Sequence, residues 1–405
     1  MTTLQHIKNQ AQNQTQNQSR LPKASKPEVT IVVVPRERFQ FAQESLESLY
    51  AATDFPFQLI YVDNGSPEEL RNYLTAQARE KEFRIVRSDR YLSPNAARNF
   101  GLQHVTSRYV VFVDNDVIFA PGWLDALVNC AQETNATVVG SLVCQYKPVH
   151  QTIHCAGGEY MAADDLERFV QSASPASEPG GWNLYEKTYC QNRSVEDVPE
   201  LLYRQPTGFV EFHAMLVQMD FFRQHGPLDE GFCCTKEYLD FAMLVTRAGG
   251  SIYLEPASVV TFLTHPPAPR LRWIDLPHFS LRWSDAWEKY SLQHFQEKWN
   301  LTDSRYFQKR YKKLGWRRWE ELIKPRMNGL AWLGQQRAKR LEKQLIAWEK
   351  KLNEWWCDRH LRRAATQLGC EVEAIAIGQN YPPVTLNSLA DSPQESAPEA
   401  LAVHR

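Results

Sequence analysis

Residues 29–34 read Val-Thr-Ile-Val-Val-Val, an unbroken run of six apolar or β-branched side chains. Six residues are too few for a helix, and a run without polar alternation suits a strand covered on both faces. Working outward, a helical stretch passes through Phe41, Leu46, Leu49 and Tyr50, and a second apolar run, FQLIYV, occupies 57–62. Asp63 and the turn Asn64-Gly65-Ser66-Pro67 end it. The alternation then repeats: a helix from about Glu68 to Arg79, the strand FRIVRS at 83–88, and a helix from Pro94 to His104 capped by Ser93. The strand YVVFV at 109–113, a helix from Pro121 to Glu133 and the strand TVVGSL at 137–142 complete the series. Strands alternating with helices across short loops predict an α/β fold with a largely parallel sheet, because a parallel connection needs a crossover element.

The remainder of the chain divides by composition. Residues 1–27 are polar and rich in Gln and Asn, and read as a disordered tail. The core domain is expected to span 28–290, with irregular loops over 145–205. A basic, tryptophan-rich helical extension is expected over 291–378, and a flexible end over 379–405. Within 305–351, fifteen Lys or Arg face four Glu, interleaved with Trp316, Trp319, Trp332 and Trp348. Such a segment suits the surface of an anionic membrane. It equally suits a solvated extension whose tryptophans pack on the core. Nucleic acid is a poorer partner, since no recognised motif accompanies the charge.

The 405 residues carry a net charge of −1, with 43% hydrophobic and 23% charged side chains, the composition of an ordinary globular protein. Eight scattered cysteines without CxxC spacing read as reduced structural thiols. No secretory leader and no run of about 18 apolar residues is present, so a cytoplasmic protein is expected, with peripheral contact at the inner membrane face as an extension of that reading.

In open α/β sheets ligands gather at the carboxyl ends of strands, which here carry Pro35, Asp63, Asp89 and Asp114. Asp114 and Asp116 flank Asn115, and alternate residues of an extended segment face the same side. Two carboxylates aimed at one point suit Mg²⁺ or Mn²⁺, ions that commonly share carboxylates with substrate phosphates. Taken alone, Asp-x-Asp also fits a turn with two solvated acids.

Several linked segments resemble the family 2 glycosyltransferases, which have the nucleotide-sugar-binding GT-A fold. They are VTIVVVP at 29–35, LESLYAATDFPFQLIYVDNGSP at 46–67, NAARNFGLQHV at 95–105 and YVVFVDNDVIFAPGWLDAL at 109–127. HCAGG at 154–158, GPLDEGF at 226–232, EYLDFAMLVTRAGG at 237–250 and SIYLEPASVV at 251–260 follow in the same order. The resemblance implies a metal-dependent, inverting transfer from a nucleoside-diphosphate sugar, UDP- or dTDP-linked, to a hydroxyl of a glycan, glycolipid or protein. It implies that Asp63 bonds the nucleotide base beside Pro35, that Arg98 serves the diphosphate, that Asp114 contacts ribose and metal, and that Asp116 and His265 ligate metal. For Arg98 a surface ion pair, and for His265 a structural role, stand as alternatives.

The family's acidic segment is altered here to Glu237-Tyr238-Leu239-Asp240, with Tyr238 in place of an aspartate. The proton acceptor is therefore expected to be Glu237 or Asp240, Asp240 also fitting a helix-start acid. A noncatalytic sugar-nucleotide or glycan-binding protein is the alternative that Tyr238 keeps open. Pro35-Arg36-Glu37-Arg38 also departs from the family, and leaves no GxGxxG for a dinucleotide enzyme.

Overall fold

The computed structural model describes residues 27–35, 38–263, 270–330, 332 and 334–368. The tails expected at 1–27 and 379–405 thus lie almost wholly outside the described residues, as does His265. Twelve strands form in order: β1 (Val29–Val34), β2 (Gln58–Asn64), β3 (Arg84–Ser88), β4 (Tyr109–Asp114), β5 (Val117–Phe119), β6 (Val138–Gln145), β7 (Thr152–Cys155), β8 (Gly158–Glu159), β9 (Lys187–Thr188), β10 (Gln205–Pro206), β11 (Ala214–Gln218) and β12 (Ile252–Phe262). The main sheet runs β10-β12-β6-β11-β4-β1-β2-β3, with β5 added to β12 and β7 to β6.

The β3-β2-β1-β4 half is parallel, as the sequence predicts. Every residue of β1 and β4 is buried, which is why their sequences show no alternation. The other half is mixed, because β11 runs antiparallel between β4 and β6. The sheet is thus mostly parallel, as expected. The long excursion from 146 to 213 replaces the short crossover that would have brought the chain back in parallel.

Helices Ala42–Ala51, Glu68–Glu80, Pro94–Leu102 and Trp123–Thr134 connect the strands close to their expected positions. Ser93 caps the third, accepting from Ala96 N–H, with Pro94 at its first position. That helix lies close to the sheet through Gly101, where a Cβ would meet Val32 Cγ1 at 2.5 Å. The 145–205 segment combines loops with short elements. It holds a helix, Ala163–Gln171, and the small β8-β9 pair besides turns.

Beyond β12 the chain is helical over Leu276–Arg282, Asp285–Trp299 and Arg305–Tyr311, and ends in a long helix, Gln335–Leu368. Part of its positive charge is spent inward. Arg318 is buried between Asp285, at 2.8 Å, and Glu349, at 2.7 Å. Arg38 is also buried and meets Glu321 at 2.6 Å. The tryptophans divide differently. Trp319 bonds Glu342, whereas Trp316, Trp332, Trp348 and Trp355 are exposed, so packing against the core does not account for most of them. Among the described residues no helix is long and apolar enough to cross a membrane, and Cys130, Cys144, Cys155, Cys190 and Cys357 are free thiols.

Candidate active site

β4 delivers Asp114 to the edge of the sheet, and the chain turns through Asn115 and Asp116 into β5. Asp114 and Asp116 are buried, at 2% and 0% exposure, so neither is a solvated turn acid. Leu263, just past β12, donates its N–H to Asp116 O at 2.9 Å.

A cavity of about 190 Å³ opens beside this turn. Its walls include Arg98, Asp114, His154, Glu211, His213, Glu237 and Tyr238. Three predicted residues meet in it: Arg98 stands 3.8 Å from Asp114 Oδ1 and 3.8 Å from Glu237 Oε1. The guanidinium is 2% exposed, lies over the Phe212 ring and donates to Asn95 Oδ1 at 3.0 Å. A surface ion pair is therefore excluded for Arg98. Its helix is fastened from both sides. Asn95 donates to Asp229 O, while Asn99 both donates to Leu228 O and accepts from Leu228 N–H. NAARN and GPLDEGF are thus one interlocked structure.

The other expected residues stand elsewhere. Asp63 is buried at the end of β2, where Ser66 N–H donates to Oδ1 at 3.0 Å and Arg87 pairs with Oδ2 at 2.6 Å. Pro35 is buried, and neither residue lines the cavity. Asp240 also faces away from it. Trp299 Nε1 donates to its Oδ1 at 2.7 Å, and Lys298 reaches both oxygens. Burial pushes the Asp240 carboxyl up, and Lys298 pulls against it. Both Asp240 oxygens therefore already receive donors.

Sequence reasoning missed His154, Glu211 and His213. The signal was present in F209-V-E-F-H213, where Glu211 and His213 alternate just before β11 and so project to one side. His213 Nδ1 lies 2.9 Å from Asp114 Oδ2, yet it is buried without a hydrogen-bond partner. Proximity without hydrogen-bond direction is what two ligands of one ion show. Asp114, Asp116 and His213 form one group whose ligand atoms lie within 4.8 Å of one another, and His154, Glu211 and His213 form a second.

Tyr238, where the family carries an acid, is tied to a carboxylate from the long excursion. Its hydroxyl donates to Glu186, which also receives Lys236 at 2.7 Å, Tyr306 at 2.9 Å and Arg310 at 2.6 Å. Burial alone would raise the Glu186 carboxyl, but Lys236 and the other donors hold it at about 2.

Residues 30–189 match the family model described as glycosyl transferase family 2. An uncharacterized glycosyltransferase of Rickettsia felis is 24% identical over 107 residues, 26% of this chain and 18% of that protein. The O-antigen biosynthesis protein RfbC of Myxococcus xanthus is 27% identical over 140 residues, 34% of this chain and 11% of that protein. The chain therefore spans less than a fifth of the length of these relatives. Among solved structures, GalNAc-T7 with UDP, GalNAc and Mn²⁺ is similar at TM-score 0.45 and 14% identity, covering 74% of this chain and 59% of that one. The mannosyltransferase PcManGT of Pyrobaculum calidifontis, in complex with GDP-Man and Mn²⁺, is similar at TM-score 0.41 and 15% identity, covering 85% and 87%. Residues 30–189, on a mostly parallel sheet with buried acids at its strand ends, are thus similar to glycosyl transferase family 2.

Proposed function

We propose that this chain moves a sugar from a nucleoside-diphosphate sugar to an acceptor hydroxyl, with inversion and with a divalent cation, Mn²⁺ or Mg²⁺, at Asp114 and Asp116. The observation that carries this reading is the buried cavity in which Arg98 faces both Asp114 and Glu237 at 3.8 Å. Its donor is a UDP- or dTDP-linked sugar. Its acceptor is a glycan, glycolipid or protein, polysaccharide assembly being the process that the RfbC likeness suggests.

The residues fit a cation. Asp114 and Asp116 offer hard oxygens, and His213 Nδ1 is a buried nitrogen without a hydrogen-bond partner beside them. When bound, such an ion neutralises charge on the departing diphosphate. Arg98 adds a fixed, buried positive charge beside Asp114, suited to diphosphate oxygens and held in place by Asn95. Asp63, at the neighbouring strand end, is taken to hold the base beside Pro35.

Glu237 is the residue we assign as proton acceptor for the attacking hydroxyl. It is the acid of the 237–240 segment that lines the cavity, 8% exposed, with Asp240 committed to Lys298 and Trp299. A carboxylate within reach of a bound hydroxyl can take its proton as the new bond forms. Residues 28–290 would form the transfer unit. The helices of 291–378 would bring exposed Trp332, Trp348 and Trp355 to a membrane surface that presents the acceptor.

The test is release of nucleoside diphosphate from a panel of nucleotide sugars with Mn²⁺, with and without acceptors. Acceptor-dependent release is expected. Metal-dependent donor binding with no release across the panel would instead favour the noncatalytic reading, which the replacement at Tyr238 motivates.

A further inference from the structure

His213 presents its two ring nitrogens to different neighbours. Nδ1 faces Asp114 at 2.9 Å, while Nε2 faces Glu211 Oε2 at 3.4 Å. His154 Nε2 approaches the same Glu211 oxygen at 3.1 Å. That oxygen is buried, yet neither approach lies along a hydrogen-bond direction. Two ligand atoms about 2.1 Å from one ion, and roughly 90–110° apart, are separated by about 3.0–3.4 Å. Both nitrogen-to-oxygen distances fall in that interval.

The proton inventory points the same way. Gln145 Nε2 donates to Asn192 Oδ1 at 2.7 Å, which leaves Gln145 Oε1 toward His154 Nδ1 at 3.1 Å. An acceptor there places the ring proton on Nδ1 and turns the Nε2 lone pair toward Glu211. The Nε2 lone pair is then directed at the space between the two imidazoles and Glu211, where a cation can sit. The rings are also held in place from outside. Phe262 stacks on His213 at 4.4 Å and meets His154 edge-on at 4.7 Å.

We propose that His154, Glu211 and His213 form a second cation site in the cavity wall, taking a borderline transition ion such as Zn²⁺ through His154 Nε2, His213 Nε2 and a Glu211 oxygen. Two imidazoles and one carboxylate are a donor set for that ion class, with a fourth position toward the cavity. The Asp114 and Asp116 oxygens next to it suit the harder Mn²⁺ or Mg²⁺. One ring separates two chemically distinct positions: His213 gives Nε2 to the softer ion and turns Nδ1 toward Asp114. This inference does not depend on the transfer reading, since the second site needs no nucleotide.

The experiment uses the full chain, stripped with a chelator and titrated with Zn²⁺ in the absence of nucleotide, with bound metal counted by elemental analysis. One zinc per chain is expected. His154→Ala should weaken zinc by at least about 100-fold, since even outer-shell losses at metal sites cost roughly 10–100-fold. Glu211→Gln is the second variant, with thermal melting to show that each is folded. Asp116→Ala should keep the zinc, and His154→Ala should keep Mn²⁺-dependent nucleotide binding. Co²⁺ substitution should give a visible d–d absorption that His154→Ala abolishes. A wild-type chain that takes up no stoichiometric zinc overturns the proposal, as does a folded His154→Ala chain that binds it unchanged. Either result leaves diphosphate release, the readout of the transfer reading, free to succeed.

Discussion

Two buried charge clusters meet at residues 236–238, and they are built on opposite rules. Around Glu186, four donors converge on one carboxylate, with Lys236, Tyr306 and Arg310 all within 2.9 Å and Tyr238 added to them. Around Asp114, the charged groups stand at longer range, with Arg98 at 3.8 Å, and His213 Nδ1 lies 2.9 Å away without a hydrogen bond. A satisfied cluster holds the fold together and gains little from a ligand. A cluster that keeps a buried nitrogen such as His213 Nδ1 without a hydrogen bond carries a desolvation cost that an incoming ion can relieve. The difference separates structural from functional charge within a single neighbourhood.

The comparison can be broken by substitution on either side. The largest effect is expected at the cavity: Glu237→Gln should keep donor binding and lose turnover by about 100- to 10,000-fold, the range of a general base. Undiminished diphosphate release from that variant would move the proton acceptor elsewhere, Glu211 being the next acid in the wall. Asp116→Ala should weaken Mn²⁺-dependent nucleotide-sugar binding by more than about 100-fold with melting preserved; calorimetry giving the wild-type affinity would remove its assigned role.

On the satisfied side the reverse is expected. Glu186→Gln should lower unfolding stability by about 3–5 kcal/mol, because it strands buried Lys236 beside a neutral partner. The pH dependence sharpens this. Glu186 is held at about 2 against an ordinary 4.5, so its contribution is present above about 4.5 and is lost as pH falls toward 2. Denaturant curves for the wild type should steepen downward across that interval, and those of Glu186→Gln should be flatter there. The smallest effect belongs to the exposed tryptophans. Trp348→Ala should change stability by less than about 0.5 kcal/mol, while reducing sedimentation with anionic phosphatidylserine vesicles; unaltered sedimentation would dismiss the membrane role for this side chain.

The parallel half of the sheet was legible because β1 and β4 are buried on both faces, and continuous apolar runs of that length have few other uses. The antiparallel insertion of β11 was not, since strand direction depends on which end the chain returns to after a long excursion. Asp114, Asp116, Arg98 and Glu237 could be named from linear motifs. Their meeting could not, because Arg98 and Glu237 are 139 positions apart in sequence and come together through the Asn95 and Asn99 bonds to the 228–229 backbone. Asp240 misled for a related reason. Its partners, Lys298 and Trp299, come from a helix whose packing no local pattern announces. Glu186 was invisible, lying in the segment with the weakest periodicity.

The two asparagines that grip the 228–229 backbone also shape how such a domain can change over generations. They hold Leu228 through its backbone N–H and C=O and Asp229 through its C=O, not through side chains. Replacements at Leu228 can therefore accumulate without disturbing the charge at Arg98, whereas Glu230 is also held by its side chain, whose Oε1 accepts from Asn99 Nδ2 at 2.9 Å. An inserted or deleted residue there cannot, because it would shift the carbonyls by a full step and swing the arginine with them. The loop is tolerant in letters at one position and strict in length throughout.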